Sequence, residues 1–256
     1  MDNNMDDYMD EKRLEEEMIR ADAHYLEGDY ERAISIWEMA QKYVSDNDSR
    51  RFLLLYKKGT ALRKLGRYEE AADALEEALR IDPKNADAWR GHALACSQLD
   101  RTAEAIASSE KALAIDPFNA RTWIVRGFSL HHMGQYERAV ESYARAIELN
   151  PSGADSRRAW NNRGAALDNL HRHEEAIESY DEAIMIDPFD IYAWNNKGVA
   201  LGILSRHEEA VRCFLKAVEI EPDYATAWKN LSLAYRALNR IHESEEALSK
   251  ARELML

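Results

Sequence analysis

The 256-residue chain is short of glycine and proline, with ten and five. All-β folds need many turns, and turns draw on these two residues, so an all-β architecture is not expected. Cysteine is scarcer still. Cys96 and Cys213 lie far apart and form no CxxC pair, which argues against a disulfide framework and a cysteine-based zinc site. No run of eighteen apolar residues occurs, so no membrane-spanning helix is expected. The leading residues, MDNNMDDYMD, are acidic where a secretory signal would be basic and then apolar, which predicts a cytoplasmic protein. Basic residues are outnumbered, 34 against 47 acids, and the net charge of −13 speaks against nucleic acid as a partner. Eight acids and two bases fall within residues 1–17. Residues 1–13 therefore read as an acidic, disordered tail that could occupy a basic groove elsewhere in the chain.

What the chain does have is a period. The five prolines, Pro83, Pro117, Pro151, Pro188 and Pro222, step by 34, 34, 37 and 34. Five of the six tryptophans, Trp89, Trp123, Trp160, Trp194 and Trp228, step by 34, 37, 34 and 34. Each unit reads as two helices: an apolar helical pattern from Trp194 to Leu204, a turn, and a second from about His207 to Ile220 that stops before Pro222. The turn positions are Gly28, Gly66, Asp100, Gly134, His171, Ser205 and Asn239. Most tolerate the left-handed backbone that ends a helix, and Ser205 fits least well.

This pattern resembles the tetratricopeptide repeat (TPR), as found in archaea and bacteria. That unit has an aromatic at position 4, glycine at 8, alanine at 20, an aromatic at 24, alanine at 27 and proline at 32. In the unit from Ile191 these are Trp194, Gly198, Ala210, Phe214, Ala217 and Pro222. In the unit from Arg157 they are Trp160, Gly164, Ala176, Tyr180, Ala183 and Pro188. The unit from Ala86 departs, with Ala93 for glycine and Ser109 for the aromatic; the last has Ser232 and Ser244 at the small positions. Seven units start near residues 14, 52, 86, 120, 157, 191 and 225, covering 14–256. The resemblance implies an all-α, right-handed superhelical α-solenoid, with each unit unstable without its neighbours. Two insertions break the period: Asp48–Arg51 and Ala154–Ser156. Each reads as a longer loop or an extra half-turn of helix, with a bend in the superhelix as the alternative.

Catalytic motifs are missing: no GxSxG, P-loop or HExxH. Acid pairs Glu174-Glu175 and Glu208-Glu209 open second helices, where they complement the helix dipole. His173 and His207 stand where other units have Tyr30, Tyr68 and Tyr136, and read as packing rings rather than metal ligands. Cys96 and Cys213 read as small apolar residues. No enzyme activity, cofactor or metal is expected.

The resemblance also implies that first helices line a concave groove, with positions 2, 5, 9, 12 and 13 facing it. From the second unit onward those positions carry Arg63, Lys64, Arg90, Arg121, Arg158, Lys229 and Arg236 against Asp87 and Asp168. A basic groove in an acidic protein favours an acidic ligand. Asn162, Asn196 and Asn230 at position 6, with Asn161 and Asn195 before two of them, could hold a peptide backbone. They are similar to the asparagine ladder of the TPR superhelix in the O-linked N-acetylglucosamine transferase, and could equally bond neighbouring helices. The carboxylate clamp of chaperone adaptors is not matched, since no three consecutive units supply its residues. The expectation is a protein-interaction module whose groove site comprises Asn161, Asn162, Asn195, Asn196, Asn230, Arg90, Arg121, Arg158 and Lys229. A scaffold working through its convex face or edges, or a regulatory subunit of a separate enzyme, is the alternative. Leu254 and Leu256 suggest an apolar patch on the last helix through which copies could self-associate.

Overall fold

The computed structural model describes residues 3–45 and 48–255, with side chains from residue 12. Among them are fourteen α-helices and no strand. In chain order they begin with three packed pairs: α1 (Asn3–Glu27) with α2 (Tyr30–Ala40), α3 (Ser49–Lys64) with α4 (Tyr68–Ile81), and α5 (Ala86–Gln98) with α6 (Thr102–Ile115). Then follow α7 (Ala120–His132), α8 (Tyr136–Leu149) and three further pairs: α9 (Ala154–Asn169) with α10 (His173–Ile186), α11 (Ile191–Ile203) with α12 (His207–Ile220), and α13 (Ala225–Ala237) with α14 (Ile241–Glu253). A short 3-10 turn, Gln41–Tyr43, follows α2. The stretch expected to be a disordered tail enters α1 from residue 3 onward. Whether its acids reach a basic groove lies outside the described side chains.

The chain divides into two compact units, residues 1–129 and 130–256, with the division falling inside the sequence of α7. In the first, α1 packs on α2, α3 on α4, α5 on α6, and successive pairs join through α2–α3 and α4–α5. Trp37, Leu54, Leu62 and Cys96 belong to its core. In the second, each helix from α8 to α14 packs on the next, around Leu167, Tyr180, Leu201, Phe214 and Leu231. First helices also touch one another, α3 with α5, α9 with α11, and α11 with α13.

All seven predicted turn residues take positive φ, including Ser205 at 59° and His171 at 58°. The small residues sit where backbones approach. A Cβ on Gly164 would lie 2.5 Å from the Tyr180 ring, and one on Gly198 would lie 2.6 Å from Phe214. Both insertions became helix: α3 and α9 run to sixteen residues where α5 and α11 have thirteen.

Each second helix also starts on a polar clasp. Arg67, Arg101, Arg172, Arg206 and Arg240, in the residue before it, each fork onto a glutamate three residues on: Glu70, Glu104, Glu175, Glu209 and Glu243. The guanidinium holds each of these carboxyls below its ordinary pKa. Two units run the clasp in reverse, with Arg32 reaching back to Asp29 and Arg138 to Gln135.

Candidate functional site

The asparagines of the second unit lie on its side-by-side first helices. Asn196 on α11 donates through Nδ2 to Oδ1 of Asn161 on α9 at 3.2 Å. Asn230 on α13 donates to Oδ1 of Asn195 at 2.9 Å. Asn195, itself buried, donates a longer bond of 3.4 Å to Asn196. Four carboxamides thus form one hydrogen-bonded row across three helices. Asn162 points elsewhere and bonds the hydroxyl of buried Tyr143, whose pKa burial pushes up. The row is therefore partly helix-to-helix mortar. Each carboxamide has two N–H groups and two oxygen lone pairs, so the half-buried Asn196 and Asn230 keep capacity for a further partner.

Beside Asn230 the same face is apolar. Val199, Gly202, Phe214, Leu233 and Ala237 line a recess of about 220 Å³, with Asn230 and His207 as its polar members. Ile203 and Leu233 are more than half exposed, as is Tyr192 one turn before the amides. Sequence reasoning followed charge and amides and passed over these residues. Their signal was available, since Tyr192, Val199, Ile203 and Leu233 occupy the very repeat positions taken to face the groove.

The charged positions sort differently. Asp168 accepts from the Tyr180 hydroxyl at 2.7 Å and sits 2.9 Å from Nδ1 of His173. It is spent inside its own helix pair, and His173 is a bonded ring rather than a mere filler. Arg158 and Lys229 are exposed on α9 and α13, without a carboxylate partner among the described residues. In the first unit Arg90 pairs with Asp87, and Arg121 is exposed at the start of α7. Arg157, which sequence reasoning did not single out, pairs with buried Asp190, the N-cap of α11.

Candidate chemistry elsewhere is quiet. Burial pushes both thiols, Cys96 and Cys213, up to about 11. Protons held that tightly leave little thiolate at neutral pH. Among the described residues no three His, Cys, Asp or Glu side chains cluster to hold a metal, and no helix is long and apolar enough to cross a membrane. At the end of the chain Met255 is exposed and Leu254 half-buried, while Leu256 lies outside the described residues.

Family models for the tetratricopeptide repeat match residues 56–120, 120–152, 158–190 and 191–224. No curated protein matches the chain. Among solved structures, a tetratricopeptide repeat protein from Parabacteroides merdae is 18% identical, with 95% of this chain and 93% of that one covered and a TM-score of 0.75. YrrB, described as a TPR protein with an unusual peptide-binding site, is 21% identical over 72% of this chain and 93% of its own, at a TM-score of 0.58. MamA is 29% identical over 65% and 96%, at 0.59.

Proposed function

This chain belongs to the tetratricopeptide repeat family, and from that premise we propose that it binds a peptide segment of a partner protein on the face of its first helices. The observation that carries the reading is the pairing of an amide row with an apolar recess. Asn196 and Asn230 offer donors and acceptors that suit any peptide backbone. Val199, Phe214 and Leu233 offer a place for one apolar side chain. Backbone capture gives affinity without sequence demands, and the recess supplies selectivity. Exposed Arg158 and Lys229 flank the face and favour an acidic segment. YrrB, a fold relative, is described as having a peptide-binding site, which is consistent with this use of the fold. The chain acts by presenting this surface, without chemistry of its own.

The rival is a scaffold that works through its edges. It draws on Phe118 and Phe189, which follow Pro117 and Pro188 in the turns between repeats and are largely exposed. A displayed random-peptide library separates the two. Leu233→Glu puts a charge into the recess while leaving the amide row intact. Peptides selected by the wild type should lose at least about tenfold in affinity to this variant, since a bound apolar side chain would strip water from the new carboxylate at a cost of more than about 1.4 kcal/mol. Unchanged binding by a folded Leu233→Glu protein, or loss on Phe189→Ser instead, would move the site to the edge.

A further inference from the structure

The first unit holds a cation with no counter-ion. Arg63, on α3, has no carboxylate or hydrogen-bond partner among the described residues, and its Nε is buried. Its neighbour Arg90, on the adjoining first helix α5, also buries an unpartnered Nε, although its guanidinium reaches Asp87. Tyr25, Tyr56 and Tyr68 lie near enough to Arg63 to act on its charge. Burial, and then the charge of Arg90, both lower the Arg63 pKa from its ordinary value, as they would for a cation short of compensation.

One turn before Arg63 on the same helix, Thr60 lines a recess of about 330 Å³ between α1 and α3, walled also by Tyr25, Leu26 and Tyr56 over buried Trp37. Tyr25 and Tyr56 belong both to this recess and to the surroundings of Arg63. At its rim Lys57 and Asp22 neutralise each other at 2.6 Å. With Asp22 matched to Lys57 and Asp87 matched to Arg90, Arg63 remains as one unbalanced positive charge. A desolvated cation of this kind gains most from an anion that brings its own fork of oxygens.

We propose that Arg63 and Arg90 form a subsite for a single carboxylate of a bound peptide, with the adjoining recess taking an apolar side chain close to it in sequence. The proposal rests on the peptide-binding reading and adds to it a second foothold, in the first unit, with a defined ligand chemistry. A monoanion is favoured over a phosphate dianion because it balances the one unmatched charge.

The test uses the full chain and an array of acetylated, amidated heptapeptides. Each carries one leucine or phenylalanine and one glutamate at spacings of one to three residues, beside a twin with glutamine. A third set carries phosphoserine. The wild type should prefer glutamate peptides to their glutamine twins at least tenfold. Arg63→Gln should erase that preference, and Arg63→Lys should restore part of it, with thermal melts showing all three proteins folded. Glutamine twins that bind as well as glutamate peptides would overturn the subsite while leaving peptide binding intact. Preference that survives Arg63→Gln, or phosphoserine peptides that bind more tightly than glutamate ones, would overturn it too. An array on which nothing is retained overturns both readings.

Discussion

The indole N–H of Trp194 donates to the carbonyl of Pro188, six residues before it, at 2.9 Å. The same bond joins Trp89 to Pro83, Trp123 to Pro117 and Trp228 to Pro222. This is the physical reason why proline and tryptophan keep one period: each of these tryptophans ties the start of its repeat to the end of the preceding one. The exception is informative. The three-residue insertion puts Trp160 nine residues after Pro151, and Trp160 lacks the bond among the described residues. Its ring keeps the other feature seen at Trp123, a guanidinium over its face, here that of Arg163 at 5.5 Å.

Replacing Trp194 by phenylalanine keeps an aromatic ring and removes the bond. The expected loss is about 1 kcal/mol, the net value of one hydrogen bond, plus a smaller contribution from lost ring area. Trp160→Phe loses only the latter. Thermal melts of the two variants should therefore differ, with Trp194→Phe melting lower. Equal melting temperatures would mean that the shared period of tryptophan and proline has another cause.

Ser205 ends the first helix of its unit with φ at 59°, where Gly28, Gly66 and Gly134 serve in other units. A Cβ in the left-handed region costs about 1–2 kcal/mol, partly offset because glycine is freer in the unfolded chain. Ser205→Gly should raise the melting temperature. The reverse change at the equivalent position, Gly66→Ser, should lower it. A Ser205→Gly protein no more stable than the wild type would show that the serine hydroxyl compensates locally.

The turns and the helix pairs were legible because each rests on contacts that recur once per unit, so seven weak signals reinforce one another. The left-handed turns could be read off even at Ser205 and His171, since the period fixed their place when their identity did not. The amide row was legible only in part. Asn161, Asn195, Asn196 and Asn230 were found, and bonding between neighbouring helices was one of the two expectations for them, but not which residue bonds which. It links residues one repeat plus one apart, Asn196 to Asn161 and Asn230 to Asn195, and depends on side-chain torsions that no periodicity encodes. Arg63 was visible as a basic residue. That it lacks a counter-ion while Arg90 has one depends on Asp87 lying three residues before Arg90 on the same helix face.

His92 is buried on α5, with Nδ1 2.9 Å from the Ser108 hydroxyl and Cys96 against its ring. Burial, followed by the nearby Arg101, lowers its pKa below the ordinary 6.5, and Lys111 adds to this against the opposite pull of Glu76 and Glu104. The folded state therefore holds the ring neutral where the unfolded chain would protonate it. The unfolded state binds more protons, so stability is fully present above about pH 6.5 and is lost as pH falls toward the lower, folded pKa. His131 is lowered in the same way, by burial and then by His132. Melting temperature should fall between pH 7 and pH 5, and His92→Gln should flatten part of that slope. A slope left intact by the substitution would assign the acid sensitivity to His131.

Gly198 faces the ring of Phe214 at a distance that admits no side chain. The equivalent pair in the preceding repeat is Gly164 and Tyr180, and in the repeat from Phe52 it is Gly59 and Leu75. The unit from Ala86 breaks both halves of the pattern together, with Ala93 at the glycine position and Ser109 at the aromatic one. Small and large are thus coupled: a methyl is accepted where the opposing side chain shrinks. Gly198→Ala should cost about 1–3 kcal/mol, the range for forcing a methyl into a packed core. Phe214→Ser alone should cost about 3–5 kcal/mol through the cavity left by the ring. In the double variant the methyl meets open space, so the loss should be smaller than the sum of the two single losses. The two changes together copy what the third repeat already carries. Strict additivity in chemical denaturation would show that the backbones at this crossing are held apart by something other than the Gly198–Phe214 contact.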